Sequence, residues 1–418
     1  MQISFLGAMS CVGASSVLVD TGTEKLVMDY GTRVKEVPPK FPIPIDGKVD
    51  AVLLSHAHLD HSGAVPILTN KNGCRVYALN CTKELTELLL LDSVKISREE
   101  GVELPFTRHD VEHCIKSFAP TDYRKPFKIG KAEVTYFDAG HIPGAAMVHL
   151  NLGNKKILYT GDYNSIETRL TKKMEQDIPE VDVLITESTY SDREHHDRKK
   201  EEAELVQMVE ETISNEGVAL ISGFAIGRVQ EVLLVLDKYG IDYPVYIDGM
   251  AKKATTIINK HPKLMTSRKS LDKALEKAKY ISKDRFRGKI IKQPCAIITT
   301  SGMLNGGPVV WYLKRLFDRD DCSLILTGYQ MEDTPGKVLL ETGKFIQKDL
   351  NLDVRMRVKR VDLSAHVGRS GLFDFVKKVN PEKVFCVHGD HTEEFASELR
   401  ERGFDATAPV ANNRIFEI

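Results

Sequence analysis

Ser55-His56-Ala57-His58-Leu59-Asp60-His61 puts three imidazoles and a carboxylate within six positions, directly after the apolar run Val52-Leu-Leu54. That run reads as a short strand buried on both faces. Leaving so many ionisable groups beside a core without a partner ion would cost several kcal/mol, so the cluster points to a metal. Alternate spacing lets His56 and His58 turn to one side and share an ion, while Asp60 and His61 fall on the next turn, placed for a second. Nitrogen with carboxylate donors suits Zn²⁺, and also Mn²⁺ or Fe²⁺.

Two later candidates are weaker alone. Gly140-His141-Ile-Pro-Gly144 and Thr160-Gly161-Asp162-Tyr-Asn each read, by themselves, as ordinary turns. Their order says more: a metal cluster, then a histidine after one strand, then an aspartate after the next. A carboxylate such as Asp162 can bridge two metals, one oxygen to each. Asp29, in Met28-Asp-Tyr-Gly31, lies upstream and is read as hydrogen-bonding a ligand or a metal-bound water.

The elements that must position these groups are mostly strands. Gln2–Leu6, Ser15–Asp20, Leu26–Asp29, Ala51–Leu54, Val134–Phe137, Lys156–Thr160 and Val183–Thr186 are β-rich runs bounded by turn residues. Several end in a polar motif, and open sheets place their sites just past strand C-termini. From about residue 195 helices alternate with strands. Leu205, Met208, Val209 and Ile213 share one helical face, Arg228–Tyr239 and Pro308–Phe317 are further helices, and Val218–Ile221, Val245–Asp248, Ala296–Thr299 and Leu324–Thr327 are strands. That alternation predicts a parallel α/β layer. From about Asp353 strand runs return, with Asp362–Ser364 before His366 and Val384–Val387 before His388.

The 418 residues suggest two or three domains, and 42% hydrophobic residues fits a globular chain. No apolar run approaches the ~18–20 residues that span a bilayer, so no membrane role is expected. Met1 to Gly7 lacks a basic segment and reads as a first strand, not a signal peptide. The seven cysteines are odd in number, scattered and free of CxxC, which predicts reduced thiols in the cytoplasm. Net charge is −1, yet Lys252 to Lys292 holds fourteen Lys/Arg against three Asp/Glu, with Tyr280 and Phe286 interleaved. A solvated amphipathic helix and a phosphate-tracking surface explain that stretch equally well.

Asp29, the HxHxDH cluster, His141 and Asp162 together resemble the four signature motifs of the metallo-β-lactamase superfamily. Ile185-Thr-Glu187-Ser-Thr-Tyr-Ser-Asp192 is similar to the acidic motif of the β-CASP nucleases, and Gly223-Phe-Ala-Ile-Gly-Arg228 to the start of their inserted domain. Thr300-Ser301-Gly302-Met303 and Thr327-Gly-Tyr-Gln330 fit that domain, and Leu363-Ser-Ala-His366 and Val387-His388-Gly-Asp390 match the later histidine motifs. Within the family the chain most resembles the cleavage and polyadenylation specificity factor-like ribonucleases of archaea and bacteria, which are relatives of RNase J. A chain that begins in the catalytic half and ends at Ile418 is expected to carry no separate RNA-binding domain. Val-Gly-Arg follows His366 where the family more often has Ala-Asp, and Glu332-Asp333 adds acidity near the Gln330 motif.

The resemblance implies an α/β fold, a metallo-β-lactamase αββα sandwich with an inserted parallel α/β β-CASP domain. It divides the chain into residues 1–193, an insert at 194–352, and a return at 353–418, with the insert closing a channel for single strands. It implies a ribonuclease acting on single-stranded RNA in processing or decay, cutting internally and in some members from the 5′ end. Two Zn²⁺ per chain follow: His56, His58 and His141 for one, Asp60, His61 and His388 for the other, and Asp162 between them. His366 is the implied general acid, Glu187 is implied to orient a ligand histidine, and Arg228, Ser301 and Gly302 are the implied phosphate holders. A homodimer is common among such relatives. Two other readings share features: a small-molecule hydrolase of the superfamily, which would lack the insert, Glu187 and His366, and a silent RNA-binding subunit, which would lack some ligands.

Overall fold

The computed structural model describes residues 1–33, 38–240, 242–348 and 350–418. Among them the chain divides into two compact units. The first comprises Met1–Glu167, Lys173–Glu194 and Ala365–Ile418; the second comprises Thr168–Lys172 and His195–Ser364.

The first unit holds two seven-stranded sheets. One runs Ile415–Glu417, Gln2–Phe5, Val17–Asp20, Lys25–Met28, Ala51–Leu53, Arg75–Leu79, Phe118–Thr121 from edge to edge. The other runs Ala406–Thr407, Lys383–Val387, Val183–Glu187, Lys156–Tyr159, Ala146–Asn151, Ala132–Asp138, Phe127–Ile129. Their inner faces meet through aromatic rings: Phe5 of one sheet lies 4.9 Å, centroid to centroid, from Phe385 of the other. Burying each such ring contributes roughly 2–3 kcal/mol. Val183–Glu187 is buried throughout and pairs in parallel with both neighbours, which is why it reads as an unbroken apolar run ending in one charged residue.

The helices Val65–Asn72, Asn80–Glu100, Arg108–Lys116, Arg369–Val379 and Thr392–Glu401 of this unit were not anticipated from the sequence. The longest carries Cys81, Leu85, Leu89 and Val94 on its buried side, a four-to-five-residue rhythm available in the sequence. It stops at Gly101, whose φ of 68° closes the last turn in the left-handed conformation.

The second unit is built on a six-stranded sheet ordered Ala278–Tyr280, Val245–Ile247, Cys295–Thr299, Val218–Ser222, Ser323–Leu326, Arg357–Arg360. Every pairing in it is parallel. Its last strand departs from the expected boundary at 353. Arg357–Arg360 pairs in register with Ser323–Leu326, so the chain stays in this unit as far as Ser364. The expected strand at Asp362–Ser364 is absent as well. There the Asp362 carboxylate accepts from the Ser364 amide and from His195, and the Asp362 amide donates to Glu201. Side-chain partners take the hydrogen bonds a ladder would have used.

A buried ion pair fixes one side of this sheet. Asp248, just past Val245–Ile247, accepts from Arg287 Nε at 2.6 Å and from Tyr312 Oη at 2.9 Å. Removing the guanidinium would strand a buried carboxylate. Arg287→Met is therefore expected to destabilise the chain by about 3 kcal/mol, read as a lower urea midpoint. A midpoint within error of the parent would show that Asp248 is satisfied without it.

Candidate metal centre

All the ligand-type residues come from the first unit, and most stand just past strand C-termini. His56 and His58 follow Ala51–Leu53, and the short helix Leu59–Ser62 carries Asp60 and His61. His141 follows Ala132–Asp138, Asp162 follows Lys156–Tyr159, and His388 follows Lys383–Val387. Close backbone approach makes this possible. A Cβ on Gly31 would lie 1.7 Å from the Asp60 carbonyl oxygen, and one on Gly161, at φ +52°, would strike the Ser55 side chain. Asp29 and His388 themselves hold φ of 56° and 52°, a conformation costing non-glycine residues about 1–2 kcal/mol and found where function requires it.

Among the described residues three groups of ligand-type atoms lie mutually within 4.8 Å: His56, His58, His141 and Asp162; Asp60, His61 and His388; and Asp162, Glu187 and His366. Asp162 faces both of the first two. Its Oδ2 lies 3.6 Å from His56 Nε2 and 3.8 Å from His141 Nε2, while Oδ1 lies 3.3 Å from His61 Nε2 and 3.4 Å from His388 Nδ1. His388 Nε2 is 3.4 Å from Asp60 Oδ2.

The donor chemistry fits divalent metal. His56 Nε2, His58 Nε2, Asp162 Oδ1 and His388 Nε2 are buried without a hydrogen-bond partner. Each such atom costs about 1–3 kcal/mol unless something satisfies it, and one class of cation satisfies nitrogen and carboxylate oxygen alike. Burial, then the neighbouring imidazoles, push His56 and His141 well below the usual histidine range; burial also lowers His58. These three are neutral, as metal ligation requires. Burial would raise Asp60 and Asp162, but the surrounding histidines outweigh it and hold both carboxylates ionised.

Asp29 is fully engaged beneath the site. Its Oδ1 accepts the Ser55 amide at 2.7 Å, and Oδ2 accepts from Ser55 Oγ, His61 Nδ1 and Tyr159 Oη at 2.6, 2.7 and 2.8 Å. It therefore fixes the orientation of the His61 ring. Asp29→Asn is expected to weaken metal binding roughly 10- to 100-fold, measured by competition with a chromophoric chelator. Unchanged affinity would mean His61 needs no such support.

His366 stands beside the first two groups, its Nε2 3.9 Å from Asp162 Oδ2 and its ring centroid 4.5 Å from that of His141. Its Nδ1 donates to Glu187 Oε2 at 2.9 Å, and Glu187 Oε1 accepts the Tyr163 amide at 2.8 Å. Burial would lower this imidazole, but Glu187 and then Asp162 outweigh it and push it up to about 9. The Val-Gly-Arg that follows also has work. The amide of buried Val367 donates to the Tyr163 carbonyl, and Arg369 binds the Ser191 carbonyl and the Glu398 carboxylate.

Arg228, Ser301 and Gly302 belong to the second unit. Arg228 opens the helix Arg228–Lys238 after Val218–Ser222; Ser301 and Gly302 follow Cys295–Thr299. The Ser301 carbonyl accepts from Ser222 Oγ at 2.8 Å, and the Gly302 carbonyl from Gln330 Nε2 at 2.9 Å. Glu332, the acidic departure nearby, is paired with Lys337 at 3.2 Å.

Sequence reasoning gave no role to Ser55, Tyr159 or Thr189. Ser55 also meets His56 Nδ1 at 3.0 Å, and Thr189 Oγ1 meets His388 Nδ1 at 3.2 Å. Their only signal was adjacency: Ser55 opens the histidine cluster, Tyr159 precedes the Asp162 motif, and Thr189 follows Glu187 by two.

Residues 11–188 match a metallo-beta-lactamase superfamily domain, 229–339 a Beta-Casp domain, and 351–409 a Zn-dependent metallo-hydrolase RNA specificity domain. A protein named Probable RNase MJ4 from Methanocaldococcus jannaschii is 40% identical, covering 99% of this chain and 100% of its own length. One named RNase aCSPSF2 from Saccharolobus solfataricus is 35% identical over 99% of this chain and 85% of its own. The Transcription termination factor FttA of Methanosarcina mazei is 34% identical over 93% and 67%. Among solved structures, a protein of unknown function from Enterococcus faecalis shares the fold at TM-score 0.60 and 13% identity, over 100% of this chain and 99% of that one.

Proposed function

We propose a ribonuclease function from one premise: the chain belongs to the β-CASP family of the metallo-β-lactamase superfamily. The reading is a zinc-dependent enzyme that hydrolyses phosphodiester bonds of single-stranded RNA in the cytoplasm. The observation that carries it is the pair of complete ligand groups sharing Asp162, with His366 beside them. The RNA assignment is supported by the ribonuclease names of the relatives and by the RNA specificity domain matched at 351–409.

His56, His58 and His141 would hold one zinc and Asp60, His61 and His388 a second, with an oxygen of Asp162 for each. Two such ions would supply a water nucleophile at neutral pH and positive charge against the phosphate as negative charge builds there. The chain's own part is positional. Asp162 and Asp60 stay ionised, and Asp29 fixes His61. His366 carries the proton the leaving ribose oxygen needs, and Glu187 holds its Nδ1–H so that Nε2 faces the site. Arg228, Ser301 and the Gly302 amide are assigned to substrate phosphates, since loops past parallel strand ends suit such groups.

The test is a single RNA sequence carrying either a 5′-monophosphate or a 5′-triphosphate, incubated with zinc-loaded protein. Internal fragments from both are the expected result for an endonuclease. Mononucleotides from the monophosphate alone would assign a 5′-to-3′ exonuclease. A metal-loaded protein that cuts neither would overturn the reading.

A further inference from the structure

The cationic segment between Lys252 and Lys292 is only partly used by the fold. Arg287 turns inward to Asp248, Lys252 Nζ bonds the Ile281 carbonyl at 2.5 Å, and Lys273 and Lys277 pair with Asp237. Beyond these, Lys279, Lys283, Arg285, Lys289 and Lys292 are exposed. Among the described residues none of the five pairs with a carboxylate within 4 Å, and the nearby Asp284 is taken by Arg287 at 3.0 Å. Two aromatic rings are interleaved with them and also face solvent, Tyr280 at 44% and Phe286 at 40% exposure. The Arg285 guanidinium lies 5.2 Å from the Phe286 ring centroid.

Edge protection accounts for one of these charges. Ala278–Tyr280 is an edge strand, and a lysine there discourages pairing with another chain. It does not account for the four cations in the turn and helix that follow, nor for open rings among them. Cations on a surface that also offers ring faces suit a polymer of phosphates and bases. The bond from Arg287 to Asp248, a carboxylate that also accepts from Tyr312, holds the segment in place before any partner arrives.

We propose that Lys279, Lys283, Arg285, Lys289 and Lys292, with Phe286 and Tyr280, form a docking surface for the backbone and bases of single-stranded RNA. The choice of polymer rests on the ribonuclease reading. The surface lies wholly within the second unit, so it can be tested apart from the chemistry.

The variant is Lys279→Ala with Lys283→Ala and Arg285→Ala, all exposed positions outside the anchoring pair. A control, Lys95→Ala with Arg108→Ala and Lys125→Ala, removes three exposed positive charges from the first unit, each in an ion pair. Affinity for a fluorescent oligouridylate of about 20 nucleotides is read by stopped-flow anisotropy before cleavage, across a range of salt. The surface variant is expected to bind about tenfold more weakly and to lose about 2 from the salt slope, roughly 0.7 per contact. The control is expected to change little. Phe286→Ala is expected to weaken binding about fivefold with the slope intact, as lost stacking would.

Unchanged affinity and slope in the surface variant, or an equal loss in the control, would overturn the proposal. So would an equal loss for poly-glutamate, which would make this a surface for acidic protein. The two readings fail separately. Cleavage of RNA with binding unmoved by the surface variant removes only the docking surface. Binding that depends on the surface, in a protein that never cleaves, removes only the nuclease.

Discussion

Asp162→Asn is expected to lower zinc from about two per chain to one or fewer, and RNA cleavage by on the order of 10³- to 10⁴-fold. The reason is geometric. One carboxylate oxygen faces His56 and His141 while the other faces His61 and His388. Asparagine keeps the shape but loses the charge, and turns an N–H₂ towards one of the two groups. Donors that repel a cation at one position leave that metal short of a ligand, and Asp162 is buried. The measurement is metal content by atomic emission beside single-turnover cleavage of the same sample. An asparagine variant with full metal and full rate would show that Asp162 joins nothing.

His366→Ala should separate chemistry from metal binding. Zinc content is expected to stay at the parental value, because the His366 Nδ1 is committed to Glu187 and the two groups that Asp162 faces contain no atom of His366. The rate of RNA cleavage is expected to fall roughly 10²- to 10⁴-fold, the usual size of a lost general acid. A substrate whose scissile bridging oxygen is replaced by sulfur needs little protonation on leaving. It should be cut by the variant at close to the parental rate. Equal losses on both substrates would give His366 a binding role instead, and a variant that cleaves ordinary RNA normally would remove it from the mechanism.

The site was legible where its residues are neighbours in sequence. His56, His58, Asp60 and His61 announce themselves because four ligand-type groups within six positions have no cheap alternative. His141, Asp162 and His388 took meaning only from their order along the chain. The support beneath them left no such mark. Ser55 and Tyr159 reach Asp29 from 26 and 130 positions away, and a serine or tyrosine at a strand end is unremarkable until the fold brings the three together. Nor does a sequence reveal that Asp29 and His388 hold a left-handed backbone, since that conformation is imposed by the hydrogen bonds around them.

The fold shows the same division. Alternation marks Arg357–Arg360 as a strand but is silent on which sheet it joins, and the chain consequently leaves the second unit later than residue 353. At Asp362–Ser364 side-chain hydrogen bonds take the place of the expected strand pairing. The helix Asn80–Glu100, by contrast, carries its signal in the spacing of its buried Cys81, Leu85, Leu89 and Val94.

The most direct test of the account is zinc content and RNA cleavage measured on one preparation before and after chelation. About two zinc ions per chain, cleavage of single-stranded RNA that disappears with the metal, and recovery of both on adding zinc are the expected results. A protein that carries its full metal and leaves single-stranded RNA intact would contradict the ribonuclease assignment.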